Sequence, residues 1–513
     1  EIFELRRIAI SDKRKGYGRE SMKALLKYAF EEMNINRFWL DVYPEEQQSV
    51  DNFWTTKEEV EQVLMGAYTK LRGCCLQMVK WGELRGDMLK VANSTTSDEA
   101  KVADMTQLTI NNSLCSWENV YNAISRANSV IEYSAAAMEK DITFSQGLSD
   151  SYVAEAVFIR SLCYFYLLRT FGEVPLILKP YVDDSQSFYV PKSDKNTIAN
   201  QLIADLKTWA EKCKPGYEVV WQNKGRATKW ACYTLLADIC LWQGDYQGAV
   251  NACNQVITKG PASLLSNETW YTLYYPGNSV ESIFEMQWDD DLSQTNSFYT
   301  LFFNGTNTST FVVSDAAREL FEDGVTEIDI RGISGAYIND GDYSGKIWKF
   351  GGTGLYGADG ELRSERQRDN NWIFYRYADV LLIKAEALVM QGNYEGARDL
   401  VTEIRTRAGH TIELPLPETE RDALLMVIDE RAREFLAEGK RWFDILRVAH
   451  IKNFSVYQDY LKEVLLAPVA AKDRLTWEAK LADTNSYYLP ILKKEITKSN
   501  GVILQNPFYA DQD

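Results

Sequence analysis

A short motif occurs twice in this chain and constrains its fold more than any other feature. Residues 237–249 read ADICLWQGDYQGA, and residues 385–397 read AEALVMQGNYEGA. In both copies an apolar helical pattern ends at Gly-Asp or Gly-Asn, and a second helical pattern follows with small residues on its packing face. Each copy therefore predicts a tetratricopeptide-like helical hairpin, a unit that buries its apolar face only against neighbouring units.

Helical periodicity extends over most of the remaining sequence. Helices are predicted at 57–72, 117–138, 151–171, 194–212, 227–243, 246–258, 376–391, 394–408, 419–438 and 440–449. Hairpins at 151–212 and 419–449 would bring the set to about four, spaced along the chain instead of in tandem. The sequence thus predicts a mainly α fold. It contains no run of 18 or more apolar residues, so no membrane-spanning helix is expected.

The longest interruption of the helical pattern is residues 261–372. It is rich in Gly, Asn, Ser and Thr, and short strands are predicted at 282–288 and 345–350. So many aromatic side chains in a turn-rich segment favour a binding surface over a core. The candidate contact residues in it are Trp270, Tyr274, Tyr275, Trp288, Tyr299, Trp348 and Tyr356. The alternative is that these rings pack beneath the insertion.

A second candidate group follows the first predicted helix. Trp81, Arg85 and Asp87 lie within KWGELRGDML and could form a polar rim beside an aromatic ring. A structural Arg–Asp pair in a capped turn would explain the same pattern.

Charge and histidine content exclude several classes of function. Lys plus Arg number 56 and Asp plus Glu number 73, for a formal charge of −17, which argues against a nucleic-acid-binding face. Only two histidines occur, His410 and His450, so a histidine-based catalytic or metal site is nearly excluded. No motif predicts catalysis or a cofactor.

The remaining metal and redox signals are weak. The eight cysteines form no C-x-x-C pair and are expected to be buried thiols. Residues 289–291 and 339–342 are rich in Asp and Asn, but neither stretch completes the EF-hand spacing, so no metal site is predicted.

From about residue 41 to its end, the chain resembles the SusD/RagB family of Bacteroidota outer-membrane glycan-binding lipoproteins. The resemblance rests on the order of several strings: WENVYNAISRANSVIE, AEAVFIRSLCYFYLLRTFGEVPLIL, NWIFYRYADVLLIKAEALVMQGNYEGARDLVTEIRTRAG, ERAREFLAEGKRWFDILR and the ending YYLPILKKEITKSNGVILQNPFY. It implies a helical, non-catalytic protein whose tetratricopeptide-like units support a glycan-binding face.

The resemblance also implies a location and a partner. Members of the family are lipid-anchored on the outer face of the outer membrane and deliver oligosaccharides to a SusC-type TonB-dependent transporter. The expected ligand is therefore an oligosaccharide or polysaccharide, which the aromatic residues of 261–372 would contact. A tetratricopeptide-like scaffold that binds only protein remains the alternative.

The first forty residues do not follow this family. Residues 1–44, with Lys13-Arg14-Lys15-Gly16-Tyr17-Gly18 between a strand and a helix, resemble a fragment of a GNAT-type N-acetyltransferase. The other strands of that fold are missing, so acetyl-CoA chemistry is the least favoured alternative. We therefore expect four regions: a fragment or extension at 1–40, a helical region at 41–260, the insertion at 261–372 and a C-terminal region at 373–513.

Overall fold

The structure is a computed structural model that describes residues 53–181, 186–322, 328–363 and 369–512. Residues Trp54–Asp513 form one compact unit. The acetyltransferase-like pattern at 1–44 lies outside the described residues.

Helices dominate this unit. They are α1 (Lys57–Glu83), α2 (Asp98–Ala103), α3 (Glu118–Lys140), α4 (Gln146–Phe171), α5 (Lys195–Trp209), α6 (Val220–Gly225), α7 (Lys229–Gln243), α8 (Tyr246–Lys259), α9 (Phe298–Phe302), α10 (Asp315–Glu322), α11 (Tyr377–Met390), α12 (Tyr394–Arg407), α13 (Glu420–Glu434), α14 (Arg441–His450), α15 (Gln458–Leu466), α16 (Arg474–Leu481) and α17 (Lys493–Lys498). Each predicted helix is present. The largest difference is in α1, which continues past the predicted end at Arg72 to Glu83.

The long helices pack in the order of the chain. Helix α3 packs against α1 and α4, α5 against α4 and α7, and α8 against α7 and α11. Helix α4 is long and apolar enough to cross a membrane by length and composition. Its most apolar 18-residue window is completely buried inside the protein, as in a core helix of a globular fold.

The repeated motif forms two hairpins, α7–α8 and α11–α12. In the first, Gly244 ends α7 in the left-handed conformation (φ 81°), and the Asp245 carboxylate accepts a hydrogen bond of 2.9 Å from the Gly248 N–H. In the second, the Asn393 side chain accepts an equivalent bond of 3.0 Å from Gly396. The recurring Gly-Asp/Asn-Tyr-x-Gly string therefore encodes the turn and the N-cap of the second helix.

Three small antiparallel pairs of strands join distant segments. They are β1 (Leu89–Val91) with β5 (Phe311–Val313), β2 (Val174–Pro175) with β3 (Lys192–Ser193), and β4 (Ser282–Met286) with β6 (Trp372–Arg376). Strand β4 confirms the strand predicted at 282–288.

The strand predicted at 345–350 is wrong. Trp348–Phe350 form a 3₁₀ turn, in which the Gly351 N–H donates to the Trp348 carbonyl at 2.8 Å. The Trp348 N–H donates to the carbonyl of Ala336 at 2.7 Å. These bonds hold the backbone in a tight turn and direct the indole into the core.

A network of buried charges connects the insertion to the C-terminal helices. We call it the buried ion network; its members are Glu281, Asp329, Arg331, Lys349, Arg376, Arg407, Glu430, Glu434 and Glu438. At its centre the guanidinium of Arg376 lies 2.7 Å from Glu281 and 3.0 Å from Glu438, and it also pairs with Glu434. Positive and negative groups alternate, so each buried charge has a partner.

The eight cysteines are all buried free thiols, as expected. Burial raises the pKa of Cys74 and of Cys240 to about 12. These thiols are therefore neutral at physiological pH and pack as small apolar side chains.

Candidate functional site

The predicted rim after the first helix is mostly core. Trp81 is buried, and its indole N–H donates to the carbonyl of Leu114 at 2.8 Å. Arg85 is also buried and donates to the carbonyls of Ser486 and Tyr487 at 3.1 and 2.9 Å. In the described structure Trp81 therefore holds the segment at Leu114, Arg85 holds the C-terminal segment, and both side chains are buried.

Asp87 does form an ion pair, but not with Arg85. Its carboxylate binds Arg441 in a bidentate arrangement, with N–O distances of 2.6 and 2.9 Å. The partner lies on α14, far along the chain. An Arg–Asp pair within the local turn is thus the wrong interpretation, although Asp87 does have a structural partner.

Four of the predicted contact residues in the insertion lie in a buried aromatic cluster. They are Trp270, Tyr274, Tyr299 and Trp348. The Tyr274 hydroxyl donates to Glu438 at 2.8 Å. The ammonium of Lys349 lies 4.8 Å from the centre of the Tyr274 ring. The Trp348 indole donates to Gly354 at 2.7 Å.

These rings have a core role in the described structure. The insertion has few regular elements, so large rings supply the apolar volume that helices would otherwise provide. A sugar would find no free face on these four rings to stack on.

The other three predicted aromatics of the insertion are partly exposed. Tyr275 stacks beneath the guanidinium of Arg363, at 4.8 Å. Trp288 is half-buried and packs edge to face against Phe298, with a centroid distance of 5.4 Å. Tyr356 packs against the buried Trp348 at 5.2 Å. Trp288 follows Gln287 directly, and Tyr275 lies two residues before Gly277, which lies against the Asn371 side chain, so both residues neighbour the amides described next.

Three amide side chains form a connected group. Asn278 and Gln287 exchange hydrogen bonds of 3.1 and 3.0 Å, and Asn371 donates to Gln287 at 2.9 Å. The backbone N–H of Trp288 donates to the Asn371 side chain at 3.2 Å. We call Tyr275, Asn278, Gln287, Trp288 and Asn371 the amide–aromatic surface.

A buried carboxylate supports this surface from below. Glu285 accepts hydrogen bonds of 2.7 Å from the Asn278 N–H and 3.0 Å from the Asn371 amide. Burial raises the pKa of Glu285, although these bonds act in the opposite direction. The carboxylate therefore fixes the orientation of the amides. Asn278 keeps one N–H and one acceptor position for a ligand, and the Asn371 oxygen keeps one acceptor position, whereas the Gln287 amide is fully used within the group.

One exposed aromatic beside this surface was missed by the sequence predictions. Trp221, on α6, has 54% of its surface exposed. Helix α6 packs against β4: the Lys224 ammonium donates to the Ser282 carbonyl at 2.5 Å, and Gly225 lies directly against Gln287. At 1.5 Å per residue, Trp221 is about 6 Å along the helix from Gly225. The apolar run Val219-Val220-Trp221 in a polar segment was the available signal.

Among the described residues, no group of three or more His, Cys, Asp or Glu side chains is arranged to hold a metal ion. The amides and rings of the amide–aromatic surface offer neutral hydrogen bonding and stacking. They do not include a nucleophile paired with a base.

Two family profiles match this chain. The profile described as "SusD family" matches residues 334–509. The profile described as "Starch-binding associating with outer membrane" matches residues 38–241. The chain belongs to the SusD family.

Curated relatives and solved structures agree with this assignment. SusD-like protein P38 of Formosa agariphila is 28% identical over 466 residues, covering 80% of this chain and 87% of that protein. A SusD superfamily protein of Bacteroides vulgatus has a TM-score of 0.72 at 22% identity, over 89% of this chain and all of that one. The surface glycan-binding protein A of Bacteroides uniformis has a TM-score of 0.70 at 22% identity, over 88% of this chain and 100% of that one.

The mainly helical SusD fold expected from the sequence is therefore confirmed. The four region boundaries predicted for this SusD-family chain remain predictions.

Proposed function

We propose that this SusD-family protein is a non-catalytic glycan-binding subunit and that its amide–aromatic surface contacts the sugar. The observation that carries the proposal is the grouping of Trp288 and Tyr275 with three linked amides above the buried Glu285. Sugar rings present C–H faces that pack on aromatic rings, and hydroxyl groups that exchange hydrogen bonds with amides. The name of the structurally similar B. uniformis protein supports the same ligand class.

The proposal includes a location and a partner. The protein would lie on the outer face of the outer membrane, held by a lipid anchor, and would pass oligosaccharides to a SusC-type TonB-dependent transporter. The family assignment and the description of the profile that matches residues 38–241 support this role. Copurification with a coexpressed SusC-type transporter tests the partner; recovery of the protein free of the transporter would contradict it.

Native affinity electrophoresis of the full chain tests glycan binding. Gels containing starch, xylan, mannan, pectin or mucin glycans are compared with a gel without polysaccharide. We expect retardation in at least one gel, and loss of most of it in Trp288→Ala and in Tyr275→Ala, because each variant removes a stacking face. Trp221→Ala should weaken retardation if the surface extends onto α6.

Tyr189→Ala is the matched control. Tyr189 is 49% exposed and lies outside the amide–aromatic surface, so its removal should leave retardation unchanged. Equal losses in Tyr189→Ala and Tyr275→Ala would contradict the proposed location.

The burial of Trp270, Tyr274, Tyr299 and Trp348 favours one alternative, a scaffold that binds only protein. Free migration in every gel, together with stable binding to the transporter, would support that alternative.

A further inference from the structure

A polar cavity lies beside the turn of the first helical hairpin, α7–α8. Its volume is about 420 Å³, and it is enclosed by the start of α5, the α7–α8 turn and the end of α14. That volume falls within the range of small-molecule sites, roughly 300 to 1,000 Å³. None of its lining residues belongs to the amide–aromatic surface.

The cavity has an excess of positive charge. Among the described residues one carboxylate lines it, Glu386, which is paired with Arg447 at 2.7 and 2.6 Å; Arg447 also binds Asp444 at 2.8 Å. The other two cationic lining residues, Lys195 and Lys452, have no carboxylate within 4 Å in the described part of the chain. Lys195 and Lys452 thus add positive charge to the lining that no lining carboxylate of the described residues neutralises.

Lys195 is held in position. Its ammonium lies 4.9 Å from the centre of the Tyr488 ring and 3.4 Å from the Tyr488 hydroxyl. Burial lowers the pKa of Lys195, although Glu173 opposes this effect. Among the described residues no carboxylate lies within 4 Å of this ammonium, so an anion in the cavity would stabilise it.

Lys452 and Asn453 also line the cavity, in an uncommon backbone conformation. Their φ angles are 49° and 54°, in the left-handed region. The Asn453 N–H donates to the His450 carbonyl at 2.8 Å, which closes this turn. Lysine rarely adopts this conformation, and such residues concentrate where side chains meet ligands.

We infer that this cavity binds a small organic anion, a carboxylate or a sulfate ester of about monosaccharide size. Lys195 and Lys452 supply the charge, and the amides of Asn196 and Asn453 with the hydroxyl of Tyr246 supply hydrogen bonds. The inference is independent of the glycan-binding proposal, because a different surface and a different chemistry carry it.

His450 provides an internal reporter. Its ring stacks on Trp242 with a centroid distance of 5.6 Å. Burial, and secondarily the charge of Lys195, lowers the pKa of His450 to about 4. The other charged or titratable lining groups are Lys452, Glu386, Arg447 and Tyr246, and Tyr488 lies behind Lys195. An anion bound beside Lys195 would offset its charge and raise the pKa of His450.

Titration calorimetry of the full chain at low ionic strength tests the inference. The probes are D-glucuronate, glucose 6-sulfate and neutral glucose. We expect binding of at least one anionic probe and at least about tenfold weaker binding of glucose, because a hydrogen bond to a charged group contributes at least that factor. Binding of glucuronate alone would show that the cavity selects a carboxylate. Binding of both anionic probes would show that it accepts either anion. Equal binding of glucose, or no binding at all, would overturn the inference.

Three variants locate the site. Lys195→Met keeps the aliphatic stem over Tyr488, and Lys452→Gln keeps a polar side chain; each should weaken binding about tenfold. Lys494→Gln is the control, since Lys494 is an exposed lysine on α17 paired with Glu118. An equal effect of all three variants would show that binding depends on the net charge of the protein, and it would overturn the site.

Imidazole NMR gives a readout that does not depend on calorimetry. The chain has only two histidines, so His410 serves as the reference signal. The pKa of His450 should rise on addition of the anion, and also in Lys195→Met without ligand. An unchanged His450 signal at a saturating anion concentration would contradict binding in this cavity.

Discussion

Arg376 has no exposed surface, and three carboxylates surround its guanidinium. Glu281 precedes β4, Glu434 ends α13, and Glu438 follows it. The same guanidinium also donates to the Glu434 carbonyl at 2.7 Å. A buried charge in such a position contributes little when it is paired, but its removal leaves the partners uncompensated.

We therefore expect Arg376→Met to lower the free energy of unfolding by about 3 to 5 kcal/mol. Urea denaturation followed by circular dichroism measures this change. Arg421→Met is the control, because Arg421 pairs with Asp459 at 2.8 Å on an exposed surface, where a pair contributes about 0 to 1 kcal/mol. Similar losses in the two variants would contradict the role of burial.

Residue type alone could not separate core from surface in the insertion. Trp270 is fully buried and Trp288 is partly exposed, yet both stand in aromatic, turn-rich sequence. The difference comes from partners far along the chain: Lys349 lies 5.6 Å from the Trp270 ring, whereas Asn371 holds the Trp288 backbone at one edge of the sheet. No local spacing encodes those contacts, so the sequence identified the segment and only part of its surface.

At the scale of elements, each of the two hairpin turns depends on a glycine, because a Cβ at that position would overlap the residue that caps the helix. A Cβ at Gly248 would lie 2.2 Å from an Asp245 carboxylate oxygen, and one at Gly396 would lie 2.9 Å from the Asn393 side chain. The second glycine of the repeated motif thus leaves room for the residue that caps its own helix. The overlap is more severe in the first hairpin.

Gly248→Ala should lower the free energy of unfolding by about 1 to 2 kcal/mol, because Asp245 must leave its capping position. Thermal unfolding of the purified protein measures the effect. Gly73→Ala, at an exposed position in α1 with open space around it, should instead stabilise the protein by about 0.5 to 1 kcal/mol. Destabilisation of equal size at both positions would contradict the capping argument.

Helices were predictable because their periodicity and caps are local. Each predicted helix is present, and α1 continues through Gly73 because Cys74, Cys75 and Met78 extend its buried face. The segment 345–350 was misassigned because a short run with Ile347, Trp348 and Phe350 also suits a turn whose rings point inwards. Its hydrogen-bond partner, Ala336, is set by the path of the insertion and not by the segment itself.

At the scale of the whole molecule, buried carboxylates limit the folding stability of the protein at both low and high pH. Burial alone would raise the pKa of Glu438, but Arg376 and Lys349 lower it to about 2; Arg431 and Arg447 likewise outweigh burial and lower that of Asp444 to about 2. Glu83 has no such cation in contact, and burial raises its pKa to about 8 despite the Gly439 N–H bond.

The unfolded chain binds more protons than the folded one at Glu438 and Asp444 in acid, so stability falls as pH drops from about 4.5 towards 2. At Glu83 the folded chain binds more protons, so stability falls as pH rises from about 4.5 to 8. The lowered pKa of His450 acts against the Glu83 effect, because the unfolded chain binds the His450 proton up to about pH 6.5. We therefore expect the melting temperature to have a broad maximum between about pH 4.5 and 6.5 and to fall on both sides of it. Thermal scans from pH 3 to 8 measure both limits.

Glu83→Gln should remove most of the loss between about pH 6.5 and 8 and leave the acid limb unchanged. Glu58→Gln is the control, since the Glu58 side chain is 63% exposed. A Glu83→Gln profile that matches the parent protein would contradict the assignment of Glu83 to the upper limit.

The contacts of Arg85 affect when the protein can complete its packing during synthesis. Its guanidinium binds the carbonyls of Ser486 and Tyr487, 401 and 402 residues later in the chain. At about 5 to 20 residues per second, a ribosome needs roughly 20 to 80 seconds to synthesise that interval. Arg85, just after α1, therefore lacks these two partners until almost the last residues of the chain emerge from the ribosome. The N-terminal helices can complete their packing only after translation of the chain is nearly finished.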